Sequence, residues 1–333
     1  KFKGVTIKNF NPDVYNYIVN VTEEPTADNF VGTPYESGKT VSISTIDSKK
    51  KQITLTVANG EVYSVCWFYE KDKDPFDFRG TWVEATKKKG FKPSSDWHVI
   101  ADYTEGYLFS LIGYKIPYVS GKEAIQYGSN GVMLSTLRQG ALRQSIPGMM
   151  SISAMSVTIA ENGGSKTSIS QTASDGIEFR NTPELLTFQY NALQANSINA
   201  WSIKLYMGDG STQQTSTFSG NYSTKNTPTN ASLTINYPSS VTNKINAVLN
   251  SCGTENAKDM NGYSSNEYAD LVLQNMHLTY NSTLTGAKIN GKNLTPSNNV
   301  FTYNLGTSEV ITGIPSLKFT GAVHDQMQTI EWL

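Results

Sequence analysis

The sequence predicts an all-β protein built from several sandwich modules. Short runs alternate apolar and polar residues, as in Glu184–Tyr190 (ELLTFQY) and Ala200–Tyr206 (AWSIKLY), the period-2 pattern of a strand with one buried face. Turn residues separate these runs, among them Asn59-Gly60, Gly163-Gly164 and Asp209-Gly210. Helical periodicity is poor throughout, and a short turn around Asn256–Asn261 is the best candidate.

Composition narrows the function classes. The 333 residues suffice for two or three domains, and 38% of them are hydrophobic, enough for real cores. A net charge of −1 gives no electrostatic reason to expect nucleic acid or an anionic membrane. Only 17% of residues are charged, against an average of about 25%. Ser, Thr, Asn and Gly fill the gap, as in extracellular β-proteins. Two cysteines, Cys66 and Cys252, make no disulfide framework, and Cys66 reads as a buried thiol within VYSVCWFY. A Cys66–Cys252 bridge would have to join two predicted domains. No stretch approaches the ~18 apolar residues of a membrane span. The sequence opens at Lys1 in strand-like residues, so the lack of a leader is no argument for the cytoplasm.

Residues 1–92 predict an immunoglobulin-like sandwich. Val14–Val21 alternates after a turn at Asn11-Pro12-Asp13, and Thr40–Ile46 follows. Gln52–Val57 and Val62–Tyr69 read as a hairpin closed at Asn59-Gly60. The run Glu70–Asp77 (EKDKDPFD) reads as a solvated loop, and Thr86–Ser95 (TKKKGFKPSS) as a linker. Residues 93–281 carry eight or more strand candidates, enough for a double-sheet jelly roll. They include Tyr107–Tyr114, Gly131–Leu137, Ser151–Ile159, Ala231–Tyr237, Asn243–Asn250 and Leu271–Tyr280. Residues 282–333 predict a small β-module with strands at Thr285–Asn290, Asn299–Leu305 and Gln328–Leu333. A weak echo links the two ends of the chain: each has a Gly, an alternating strand, a Pro turn and a strand closing on Tyr17 or Tyr303.

Three segments of the central domain resemble the carbohydrate-metabolism-domain family of Bacteroidetes surface proteins. They are Gly121–Leu137 (GKEAIQYGSNGVMLSTL), Gly176–Tyr190 (GIEFRNTPELLTFQY, with Phe179, Pro183 and Tyr190 at marked positions) and Ser264–Tyr280 (SSNEYADLVLQNMHLTY). Ala200–Tyr206 matches the strand that follows the second segment. The closing segment departs from the family pattern: Gln274 stands where an acidic residue is usual, with Asn275 beside it. The resemblance covers about half the chain. It implies a jelly roll like those of carbohydrate-binding modules, behind an immunoglobulin-like domain. It also implies a secreted, lipid-anchored outer-membrane or cell-surface setting in an anaerobic gut bacterium.

Catalytic motifs are scarce. His98, His277 and His324 are far apart, with no H-E-x-x-H or C-x-x-C spacing, and no G-x-S-x-G occurs. His277 alternates within a strand and reads as a face residue. The carboxylates that could serve a glycosidase, Asp102, Glu105, Asp175, Glu178, Glu184 and Asp270, show no pairing in sequence. Sugar recognition combines exposed aromatics, which stack on C–H faces, with amides and carboxylates, which bind hydroxyls. The candidate aromatic platform is Trp97, Tyr103, Tyr107, Trp201, Tyr222, Tyr263 and Tyr268. Asp102, Asp175 and Asp270 are the candidates for a structural Ca²⁺; no other cofactor is expected. The expected function is a non-catalytic, surface-exposed protein that binds a polysaccharide or oligosaccharide. It would meet no nucleic acid, and a membrane only through an N-terminal lipid anchor outside this sequence. A structural or fimbria-like adhesive protein is the first alternative, and a glycoside hydrolase with an unrecognised carboxylate pair the second.

Overall fold

A computed structural model describes the chain apart from residues 9, 11, 13–14, 59, 86–90, 100–106, 112–113, 118–124, 129–130, 140–143, 147, 159–167, 172–175, 194–199, 224–226, 252–268, 281–282, 296–301, 305, 311–315 and 321–333; some strands are described by backbone alone. The described residues are almost entirely strand and loop, with one 3₁₀ turn at Ala27–Asn29. Contacts divide the chain into two compact units. One comprises Lys1–Lys73, Arg180–Pro183 and Tyr280–Leu333; the other comprises Asp74–Phe179 and Glu184–Thr279.

The larger unit holds two six-stranded antiparallel sheets. The first runs Ile125–Gly128, Gly131–Gln139, Ala269–Thr279, Leu185–Leu193, Thr229–Thr234, with Gln144–Ile146 beside the second of these. The second runs Gln213–Asn221, Ala200–Gly208, Lys244–Asn250, Met149–Ser151, His98–Val99, with Ile177–Glu178 along Lys244–Asn250. Alternation decides what goes inside. Leu186 and Phe188 of Leu185–Leu193 are buried, while Thr187 and Gln189 face outward. The same rule sends Trp201, Ile203 and Leu205 inward, and one continuous core joins them to Leu134, Phe179, Leu249, Leu271 and Leu273. Close backbone approach needs glycine at one crossing: a Cβ on Gly131 would lie 2.1 Å from the Leu273 carbonyl oxygen.

Part of the stretch before this sandwich is packed rather than solvated: Glu70, Lys71, Lys73 and Asp77 are exposed, residues 86–90 of the expected linker lie outside the described residues, and the aromatic residues between are buried. Phe76, Phe78, Trp82 and Ala85 all enter the larger core. Val83–Glu84 pairs with Phe91–Lys92, and Phe91 packs against that core. The aromatic residues spaced among the acids are what bury the segment, and the acids themselves cap backbone amides. Asp74 accepts from the amides of Phe76 (2.9 Å) and Leu278 (2.6 Å).

In the smaller unit, strands β1 (Asn16–Val21), β2 (Val41–Ile43), β3 (Gln52–Val57) and β4 (Val62–Tyr69) form one sheet in the order β1-β4-β3-β2. β3 and β4 form the expected hairpin, with Gln52 opposite Cys66 and Thr56 opposite Val62. Its turn is helped by Gly60 at φ 92°. β1 pairs in parallel with β4. Tyr17, Val19, Ile53, Leu55, Val65, Trp67 and Tyr69 share one buried face with Phe30. Cys66 is buried, and burial pushes its thiol up to about 12; Cys252 lies outside the described residues.

Arg180 and Asn181 are sewn to the end of β4. Asn181 Oδ1 accepts from the Tyr69 amide (2.9 Å), Asn181 Nδ2 donates to the Tyr69 carbonyl (3.0 Å), and the Arg180 guanidinium lies 4.1 Å over the Tyr69 ring. Asp72, its side chain almost fully buried, accepts from the backbone amide of Arg180 and from its Nη2 (3.2 Å).

The C-terminal residues of this unit add a sheet of Thr283–Ile289, Lys292–Leu294 and Ser316–Thr320. Asn290 and Gly291, both at positive φ, close its hairpin. Thr302–Asn304 lie outside any strand, contrary to the alternation of NVFTYNL; the Tyr303 hydroxyl is instead taken by Glu309, which also accepts from Lys292 (3.2 Å). Those two donors, Tyr303 first, hold the Glu309 carboxyl down to about 2. Gln328–Leu333 lies outside the described residues.

Candidate functional site

A break in alternation marks a concave surface rich in polar side chains. Along Ala269–Thr279 the buried positions are Ala269, Leu271 and Leu273, then Met276 and Leu278. One extra residue has entered, and Gln274 and Asn275 both point away from the core. The partner strand records the same slip: Thr187 faces His277, yet Gln189 faces Gln274. Two steps on one strand thus oppose three on the other, which defines a β-bulge. Asn275 takes the left-handed conformation (φ 51°), which Asn tolerates better than other non-glycine residues.

The bulge creates an open depression of about 420 Å³ on the outer face of the first sheet. Its polar walls are Thr187, Gln189, Asn230, Ser232, Asn275 and His277. Three adjacent strands bring them together, because Thr187 pairs with Ser232 and Gln189 with Asn230 across the next ladder. His277 Nδ1 lies 2.9 Å from the Asn275 carbonyl. A carbonyl only accepts, so Nδ1 carries a proton; in the neutral ring Nε2 then accepts from the Thr187 hydroxyl at 2.9 Å. Gln189 Nε2 donates to Asn230 Oδ1 at 3.3 Å, which leaves Gln189 Oε1 as an acceptor and Asn230 Nδ2 as a donor. The side chains of Ser232 and Asn275 are exposed. The surface therefore offers both donors and acceptors and holds no Lys, Arg or carboxylate side chain, with the His277 ring and the Gln189 and Asn230 amides held by neighbours.

Asp74 holds the end of this surface. Beyond Gln274 the Ala269–Thr279 strand no longer has Gly131–Gln139 beside it, since that ladder ends at Gly131 opposite Gln274. Asp74 supplies the acceptor for Leu278 one residue after His277. Burial raises the Asp74 carboxyl above its ordinary value and outweighs the two amide hydrogen bonds, which pull the other way.

Trp97, Trp201 and Tyr222 are core residues and offer no stacking face to a ligand. Trp97 and Trp201 are 0% exposed. The Trp97 indole N–H donates to the Pro75 carbonyl (3.0 Å), and Trp201 is walled by Tyr190, 4.7 Å away, and Phe218. Gly220 on the paired strand leaves room for the Trp201 ring, which a Cβ there would meet at 2.7 Å. The Tyr222 hydroxyl donates to the Ser251 carbonyl (2.5 Å). Tyr107 begins a strand paired with Tyr114–Pro117 and is described by backbone only. Tyr103, Tyr263, Tyr268, Asp102, Glu105 and Asp175 lie outside the described residues. Asp270 accepts from the Ser135 hydroxyl (2.6 Å), and among the described residues no three His, Cys, Asp or Glu gather as a metal set.

Of the carboxylates named as glycosidase candidates, Glu184 and Asp270 do not pair either. Glu184 immediately precedes Leu185, whereas Asp270 faces Leu193 at the other end of that strand. Nine residue steps at about 3.3 Å separate them by roughly 30 Å, far beyond the ~5–10 Å of a glycosidase pair. Glu178 sits in the other sheet, opposite Lys244.

Sequence reading missed the depression, though its signal is present. The apolar spacing Leu271, Leu273, Met276, Leu278 goes 2, 3, 2, and the odd step falls on the Gln274-Asn275 pair.

No known family profile matches the chain, and no curated protein matches it. One solved structure that the chain weakly resembles is described as a carbohydrate-binding module from the β-sandwich superfamily. It shares 10% identity over 76% of this chain and 82% of its own, at a TM-score of 0.28.

Proposed function

We propose that the larger sandwich binds a neutral polysaccharide along the outer face of its first sheet. The observation that supports this reading is the convergence of Thr187, Gln189, Asn230, Ser232, Asn275 and His277 on one depression. Sugar hydroxyls both donate and accept, so a surface that does both suits them. Acidic glycans would meet no Lys or Arg among these six groups. The depression is open rather than deep, which suits the interior of a chain lying across the strands. Without an aromatic platform among these groups, hydrogen bonding carries recognition, and affinity comes from several sugar units bound in a row.

A role in handling glycans outside the cell, on a secreted or lipid-anchored surface protein, accords with the low charge and the Ser/Thr/Asn-rich outer faces. Asp102, Asp175 and Asp270 stand as the candidate ligands of a structural calcium in that setting. Affinity electrophoresis through gels of neutral and anionic polysaccharides tests the reading. Retardation by a neutral glycan, lost in the Asn230→Ala/His277→Ala double variant, is the expected result. Retardation only by anionic glycans, or unchanged by the double variant, would overturn it. No retardation in any gel would leave the adhesive, spacer-like reading in its place.

A further inference from the structure

The smaller unit carries a cavity whose chemistry differs from that of the depression. It has a volume of about 310 Å³, within the size range of ligand pockets, and opens beside β2. Its deep wall is Phe30, Val41, Leu55, Val57 and Val65, and aromatic rings of Phe10, Tyr17 and Tyr63 close one side. Phe10 stacks on Tyr17 with centroids 5.4 Å apart, and Tyr63 lies 6.3 Å from Phe10. Gly32 lets the 30–36 loop close over the cavity, since a Cβ there would come within 2.5 Å of the Val41 side chain. The charged lining residues are Lys1, Glu36, Lys39 and Glu61; Lys39 and Glu36 lie 3.6 Å apart, and Tyr35 stands fully exposed.

We infer that this cavity is a binding site for a small aromatic molecule with one polar substituent, such as a phenol. A dry apolar cavity of about half this size takes benzene. A pyranose is a poor occupant: its hydroxyls ring the molecule, the deep wall has no side-chain partner for them, and each unsatisfied one costs about 1–3 kcal/mol. An aryl ring has its polar group at one end, where the Lys39–Glu36 pair and the exposed loop can meet it. The Phe10, Tyr17 and Tyr63 rings supply offset and edge contacts, which favour an aryl over an aliphatic ligand. The inference does not rest on the glycan reading, because it concerns another unit and another chemistry.

The test is NMR of the full chain with 4-methylphenol, read at the methyl groups of Val41, Leu55 and Val65. Saturable shifts with a Kd on the order of 1 mM or tighter are expected. Filling the cavity with Val57→Phe or, independently, Val41→Phe should weaken binding roughly tenfold or more. Neither substitution should lower the unfolding midpoint by the amount a misfolded unit would show. Methyl β-glucoside should leave these methyls unmoved. The Asn230→Ala/His277→Ala variant should bind 4-methylphenol as the parent chain does, which separates this site from the glycan face. No saturable shift to about 10 mM, equal binding by the folded filled variants, or stronger shifts with the glucoside would each overturn the inference.

Discussion

Replacing Asp74 by Ala should destabilise the larger sandwich by about 2–4 kcal/mol. The carboxylate satisfies two backbone amides, those of Phe76 and Leu278, and both residues are buried (0% and 7% exposed). An orphaned buried donor costs about 1–3 kcal/mol, and the alanine variant creates two. Part of that loss is offset, because the ionised carboxyl no longer has to be held in a partly dry site. Asp74→Asn keeps one acceptor oxygen, for one of the two amides, and sets an N–H donor against the other, so its cost should be about 1–3 kcal/mol at neutral pH.

The pH dependence has a definite sign. The folded-state value of Asp74 is raised by burial. The group's favourable contribution is therefore full below the unfolded value, about 3.9, and is lost as pH rises through the folded one. The parent chain should gain on Asp74→Asn as pH falls through the raised folded-state value toward the unfolded one. Denaturant unfolding followed by the fluorescence of buried Trp97 and Trp201 measures both effects. The reasoning fails if Asp74→Ala lies within about 0.5 kcal/mol of the parent, or if the Asn difference is flat with pH. Because Leu278 adjoins His277, the alanine variant should also weaken binding at the depression.

Gly131→Ala should cost about 3 kcal/mol, the upper end for overpacking, because its Cβ would meet the Leu273 carbonyl, which the ladder cannot move; thermal unfolding checks this. Cys66, buried with its thiol held up at about 12, should resist a thiol reagent at pH 8 in the folded chain and react at once in denaturant. Lys51→Met should be neutral within about 1 kcal/mol, or stabilising, because the Glu24 carboxylate it leaves behind is 39% exposed and stays solvated. Lys51 is almost fully buried, desolvation lowers its pKa, and its partner Glu24 keeps the Tyr69 hydroxyl as donor. The folded-state value of Lys51 lies below the unfolded one, so any deficit of the parent against Lys51→Met should shrink as pH rises through that lowered value.

The strands were legible because period-2 alternation is a local property. Leu186, Phe188, Trp201, Ile203 and Leu205 all point inward as their spacing requires. Which aromatic rings remain wet is a tertiary matter. Trp97 and Trp201 looked usable from flanking polar residues, yet neighbours such as Pro75, Phe218 and Gly220 decide their burial. The acids of EKDKDPFD looked solvated for the same reason. Their partners, Arg180, Asn181 and Leu278, lie more than a hundred residues away, and no local pattern announces them. The bulge lies between these cases. Its odd step at Gln274-Asn275 is visible in the sequence, but that the step gathers Thr187, Gln189 and Asn230 beside His277 follows only from the pairing of three strands.

The most direct measurement maps binding at the level of residues. Amide chemical shifts should be recorded for the full chain titrated with an oligosaccharide cut from whichever neutral glycan retards it. Shifts concentrated at Thr187, Gln189, Asn230, Ser232, Asn275 and His277, with a Kd that tightens as the oligosaccharide lengthens, are the expected result. Shifts that leave those six residues unmoved and fall elsewhere in the chain would contradict the assignment of this face as the glycan site.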